Sequence, residues 1–336
     1  MDDDGINEGG GSGGSGVGDI IKDQIWYDMP IWLLSINLVL PILAVIYGVL
    51  SWIFVSKYKN KPIVAMGQPT FLYSICAGAI LIASCMLFNI PVVVNGIIRG
   101  GDGSVTSIGL DVCCNLMVWA SYLGYYFVYT ALLCKMYRII LITEEPLRRG
   151  LMILPKHVMG PYIIVMILVI SLLIAWSATD PHQFVVERME NDVKYTGNCK
   201  LVSAEHTVGI ALVSTMADTI VEIALLIMAW KIRHVNRELG DSKRIFKMLF
   251  FLLFTHVVFG ILIFTSPLWK LRPSLLPSIQ TLVYIIRFSI DSVAIISFLI
   301  LPRIYYVWYE HKHGHLPENV VMIGRGTTSV RVNNEQ

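Results

Sequence analysis

The apolar residues of this chain fall into long unbroken blocks separated by short polar segments. Seven blocks stand out: Ile31–Val55, Phe71–Val94, Val112–Ile142, Tyr162–Ala178, Val208–Ile232, Ile245–Phe264 and Leu282–Leu301. Each reaches about 17 residues or more, the length a helix needs to cross a ~30 Å hydrocarbon core. A backbone inside lipid has to satisfy its own hydrogen bonds, so blocks of this length are helices. The residue-by-residue alternation of a membrane β-barrel is absent. The pattern predicts an all-α membrane protein, a seven-transmembrane helix bundle.

Composition agrees. Of 336 residues, 55% are hydrophobic and 15% charged, against 45–50% and about 25% in soluble domains. That balance, with a mean hydropathy of +0.64, excludes a soluble globular enzyme, a disordered chain and a secreted disulfide scaffold. The net charge of +2 gives no reason to expect nucleic acid as a partner. The placement of Lys and Arg decides the topology. With the N-terminus outside, 18 of the 26 basic residues fall on cytoplasmic segments and 7 on outer ones, and Arg287 lies within span seven. The expected layout is an acidic, Gly/Ser-rich outer tail over 1–29, the bundle over 30–302 and a short cytoplasmic tail over 303–336. The N-terminal tail lacks a basic stretch followed by an apolar one, so no cleavable signal peptide is expected. It is also too short for a folded ligand-binding ectodomain. No internal repeat supports a transporter of duplicated halves.

Six cysteines are present. Cys76, Cys85 and Cys134 lie within spans and read as small packing residues. Cys113, Cys114 and Cys199 face the oxidising side, where disulfides persist. A bridge from span three to Cys199 would pin outer loop two over the bundle mouth, and spacing alone leaves Cys113 and Cys114 both open as its partner.

Five segments resemble one family. GQPTFLYSICAGAIL at Gly67–Leu81 has a Gln-Pro start before a small-residue helix. CNLMVWASYLGYYFVYTALLCKMYRI at Cys114–Ile139 has Trp five residues after Cys, then Leu-Gly and Lys-x-Tyr-Arg. IAWSATDPHQFVVE at Ile174–Glu187 has Trp-x-x-x-Asp-Pro. AWKIRHVNRELGDSK at Ala229–Lys243 and LPRI at Leu301–Ile304 complete the set. In this order the segments resemble the class C G-protein-coupled receptors, and within them the metabotropic GABA (GABA-B) receptors. The resemblance implies a non-enzymatic receptor with no cofactor, signalling from the plasma membrane to a heterotrimeric G protein and working as a homo- or heterodimer with another class C chain. It also implies a disulfide between Cys114 and Cys199, and an ionic contact between Lys135 at the foot of span three and Asp241 at the foot of span six. Met117 departs from the family, which has Arg there. The family's large extracellular flytrap domain is not in this chain, which raises the alternative of a partner subunit to a flytrap-bearing receptor.

Other candidates come from the residues themselves. Arg148, Arg149, Arg233, Arg237, Lys243 and Arg244 make the inner loops basic, suited to a transducer and to anionic membrane lipids alike. Asp218 and Glu222 are four apart on span five, and Arg287 and Asp291 four apart on span seven, so each pair shares a helix face. Charges at membrane depth are costly and mark function or pairing, and these four are read as an in-membrane polar core. Trp119, Tyr122, Tyr126 and Tyr129 form an aromatic stripe, a candidate bundle pocket or, more simply, interhelical packing. The trio His311, His313 and His315 lacks partner ligands at metal spacing, so no metal site is expected. A light-driven pump would need a Lys in span seven, and none lies between Leu271 and Leu301. A membrane zinc hydrolase would need several intramembrane His, and His256 is the only one well inside a span. A small-solute or ion transporter remains as the lesser alternative, because of the in-span charges.

Overall fold

Proline marks where several helices begin. Its fixed φ and missing N–H suit a first helical turn, and Pro62, Pro69 and Pro155 each open a helix. A computed structural model describes residues 25–26, 31–98, 107–144, 155–188, 194–201, 204–232, 241–265 and 276–315. Among these residues the helices are α1 (Ile31–Tyr58), α2 (Pro62–Met66), α3 (Pro69–Ile98), α4 (Ser107–Glu144), α5 (Pro155–Thr179), α6 (Ala204–Ile232), α7 (Asp241–Thr265), α8 (Leu276–Leu299) and α9 (Leu301–His313). The seven expected spans are α1 and α3 to α8. Six helical segments are long and apolar enough to cross a membrane: those within α1, α3, α4, α5 and α7, and the joined α8–α9. The 29-residue α6, with Asp218 and Glu222 in its middle, completes the seven.

The helices overrun the apolar blocks at most ends. Span six, expected from Ile245, begins at Asp241, and span three extends to Ser107 and Glu144. Hydropathy registers only the part in lipid, whereas the backbone ladder continues into the polar interface. Span seven breaks at Ile300 rather than after Leu301, and the chain then runs on as helix through the start of the expected tail. Gly314, at φ 72°, stops it by donating to the Glu310 carbonyl at 2.9 Å, the left-handed helix end that glycine permits.

Between α5 and α6 the chain forms a hairpin. β2 (His182–Arg188) pairs antiparallel with β3 (Lys194–Leu201), and β1 (Ile25–Trp26) adds in parallel on the other edge of β3.

Within the bundle, α3 and α4 share the largest contact; α1 and α8 lie along α3, α5 and α6 lie along α4, and α7 closes the ring between α6 and α8. Small residues let membrane helices approach closely, and here Gly78 and Gly124 face each other. A Cβ on Gly78 would stand 2.6 Å from the Gly124 carbonyl oxygen, and one on Gly124 would stand 2.9 Å from the Gly78 oxygen. Backbone meets backbone there, so neither side can give way.

Gly78→Ala and Gly124→Ala are therefore expected to destabilise the bundle by about 1–3 kcal/mol or more, the cost of overpacking a tight core. Gly260→Ala, where a Cβ meets nothing within 4 Å, should leave the thermal midpoint of the detergent-solubilised protein unchanged. Equal midpoints for all three variants would refute the contact.

Candidate functional site

Tyr125, Tyr126 and Tyr129 follow Gly124 on the face of α4 turned toward α6, α7 and α8. Tyr125 donates its hydroxyl to Asp291 Oδ2 at 2.6 Å, and Thr255 of α7 donates to Asp291 Oδ1 at 2.8 Å. Arg287 Nε stands 3.9 Å from the same carboxylate, one helical turn away on α8. Tyr129 donates to Glu222 Oε1, and His256 Nδ1 lies 3.3 Å from Glu222 Oε2. Tyr126 hydrogen-bonds Asp218. Ser292 ties α8 to α3 through the Ala79 carbonyl at 2.8 Å. Asp218, Glu222, Arg287 and Asp291 thus converge in one network that joins α4, α6, α7 and α8, and Glu222 and Asp291 are each 2% exposed. A group so buried stays charged only when partnered.

Tyr125, Thr255 and the binding role of His256 are absent from the sequence-based site. Tyr125 sits one position off the aromatic stripe, and Thr255-His256 is a polar dipeptide inside an otherwise apolar block, which is the signal that marks them. The stripe itself divides. Trp119 Nε1 donates to Ser177 Oγ at 2.8 Å and the Tyr122 ring packs edge-on against Trp176 of α5, while Tyr126 and Tyr129 turn to the acids of α6. These contacts describe interhelical packing.

At the end of the bundle that carries the hairpin, Cys114 and Cys199 form a disulfide with Cα atoms 5.6 Å apart, and Cys113 is free. Side chains of α4 hold the same hairpin. Asp111 Oδ1 accepts the Phe184 N–H at 2.7 Å, and the Asn115 side chain both donates to the His182 carbonyl at 2.9 Å and accepts the His182 N–H at 3.2 Å. The His182 ring packs on Trp176, and burial holds its pKa below the ordinary value, with Asp180 opposing the shift.

At the opposite end, Lys135 is buried and Lys243 is exposed. Arg244 donates to the Tyr306 hydroxyl at 2.6 Å, its guanidinium lying over that ring. Lys61 pairs with Glu310 at 3.3 Å. The Arg303 guanidinium lies so close to Gly67 that a Cβ there would be 2.5 Å from Cζ. α9 is thereby held to α2, α7 and the first inner loop. The side chain of Asp241 and residues Arg148, Arg149, Arg233 and Arg237 lie outside the described residues. No group of three or more His, Cys, Asp or Glu suited to a metal occurs among the described residues.

A seven-helix bundle with a disulfide-anchored hairpin at one end and a clasp at the other has the form of a multi-pass membrane protein. The family model described as the seven-transmembrane sweet-taste receptor of family 3 G-protein-coupled receptors matches residues 28–303, which takes in every span. The chain belongs to this family, the class C receptors, and is an integral multi-pass membrane protein. No curated protein matches it.

Two outcomes follow. Arg287→Ala leaves Asp291 short of its charge partner and should abolish folded, surface-expressed protein, a loss of about 3–5 kcal/mol when one member of a buried pair is removed; normal expression and an unchanged midpoint would refute its place in the network. For His182, lowering pH below about 6.5 adds a proton that the packed state resists. Hairpin stability should therefore be full at neutral pH and fall on acidification. The rate at which a reductant opens Cys114–Cys199 should rise over that range in the wild type and stay flat in His182→Asn.

Proposed function

We propose that this chain is a class C receptor bundle of the metabotropic GABA-receptor type, passing an extracellular signal to a heterotrimeric G protein on the cytoplasmic face. The observation that carries the reading is the family match over residues 28–303; the motifs at Gly67–Leu81, Cys114–Ile139, Ile174–Glu187 and Ala229–Lys243 favour the subtype. The N-terminus lies outside and the C-terminus in the cytoplasm, in keeping with the bias of Lys and Arg. The plasma membrane, and a dimer with another class C chain, are the setting the family suggests.

A receptor needs two states whose inner surfaces differ. In this reading Lys135 and Asp241 form the restraint between them. Lys135 is buried at the foot of α4, and Asp241 is the first residue of α7. Met136, next to Lys135, and Ile245, one helical turn after Asp241, belong to one apolar cluster, which supports the proximity of the two helix ends. A Lys–Asp contact favours the closed inner face, and separating the helices breaks it. The basic residues Arg148, Arg149, Arg233, Arg237, Lys243 and Arg244 then form the surface the transducer meets.

The test is guanine-nucleotide exchange on a panel of heterotrimers, without agonist, using wild type and Asp241→Asn in nanodiscs. Asp241→Asn is expected to exceed the wild type severalfold on at least one heterotrimer. Folded protein that stimulates none, in either form, would overturn autonomous signalling and leave the bundle as a partner subunit.

A further inference from the structure

G-protein coupling concerns the inner end of the bundle and gives no role to the charge buried at its middle. Three carboxylates, Asp218, Glu222 and Asp291, face one guanidinium, Arg287. Asp291 is compensated: Arg287 stands 3.9 Å away and the hydroxyls of Tyr125 and Thr255 both donate to it. That leaves the α6 pair with no fixed cation of its own. Glu222, its side chain 2% exposed, accepts from Tyr129 on Oε1, and His256 Nδ1 lies 3.4 Å from that same oxygen and 3.3 Å from Oε2. Glu222 Oε2, Asp218 Oδ1 and His256 Nε2 are buried and make no hydrogen bond among the described residues. Two ionised carboxylates four apart on a helix repel even in water, and at membrane depth the repulsion and the desolvation cost are far larger. The tyrosines relieve neither, since they bring hydroxyls and no positive charge.

We propose that Asp218, Glu222 and His256 form a proton-binding site at the middle of the bundle, holding one proton while α6 is packed against α4 and α7. The proton comes from water and rests between His256 Nδ1 and the Glu222 carboxylate. It forms an N–H bond on the imidazole that is donated to the carboxylate, and no electron is transferred. The charged and titratable groups around it are Tyr125, Tyr126 and Tyr129 of α4, Asp218 of α6 and Arg287, Asp291 and Tyr284 of α8. When α6 moves away and water enters, the acids are solvated separately and the proton leaves. The packed and opened bundles therefore differ in bound protons, which makes acidity a ligand of the packed state. This inference stands apart from G-protein coupling, and a bundle that couples to nothing would still show it.

The test is thermal unfolding of the full chain in nanodiscs between about pH 6 and pH 8, in sodium and in choline buffers. One extra proton in the native state changes the folding equilibrium constant by about tenfold per pH unit. The wild-type midpoint should therefore fall as pH rises, and equally in both salts. Asp218→Asn and Glu222→Gln each remove one carboxylate and should flatten that slope. Infrared difference spectra of the wild type supply a readout that needs no variant: an imidazolium or protonated-carboxyl signal, shielded from exchange, should disappear across the same range. A flat wild-type profile, a slope that survives in both variants, or absence of both infrared signals would overturn the proposal. A midpoint that follows sodium instead would assign the site to a metal cation and overturn it equally. His182 acts on the same midpoint with the opposite sign, stability falling with acid, so the whole series is run in the His182→Asn background.

Discussion

The bundle depends on how closely α3 and α4 approach at Gly78 and Gly124. Side chains at those two positions would hold the backbones apart. Their absence lets main-chain atoms of one helix rest on the other, and this sets the depth and rotation of α4. The residue after Gly124 is Tyr125, and one turn further lies Tyr129, the two phenols that reach Asp291 and Glu222. A glycine contact on one side of α4 therefore fixes the polar contacts on its other side. In lipid, where no hydrophobic force draws helices together, packing and hydrogen bonding carry the assembly. Here the two are coupled through a single helix.

The end of the bundle that carries α9 is organised on a different principle. Its contacts are the ion pair of Lys61 with Glu310, the half-buried bond of Arg244 with Tyr306, and the buried Arg303 guanidinium packed against Gly67. Exposed pairs of this kind contribute little each. The Lys61–Glu310 pair is therefore cheap to break, whereas the buried network at the middle is costly to disturb. The same chain thus has a stiff waist and a loosely latched foot.

The helices were legible in the sequence because lipid imposes one rule on every backbone group, and the seven blocks obey it. Their ends were less so: Asp241 and Ser107 are polar, and only the backbone ladder carries a helix to them. The hairpin at His182–Leu201 gave no apolar alternation strong enough to read, because its order comes from Asp111, Asn115 and the Cys114–Cys199 bridge, all contacts distant in sequence. The four in-span charges could be picked out as costly. Their partners could not, since Tyr125 and Thr255 look like ordinary span residues until the helices are set side by side. The aromatic stripe shows the reverse case: regular spacing put Trp119, Tyr122, Tyr126 and Tyr129 on one face, and that face turned out to meet two different helices.

The short strand Ile25–Trp26 has a mechanical consequence. It is hydrogen-bonded to β3, which carries Cys199, and Cys199 is covalently joined to Cys114 on α4. Tension applied at residues 25–26 thus has two routes into the membrane. One runs through four residues of chain into α1. The other crosses β3 and a disulfide into the helix that carries Gly124 and the buried phenols. By the second, a tug on the N-terminal segment reaches α4 without having to pass through the first helix.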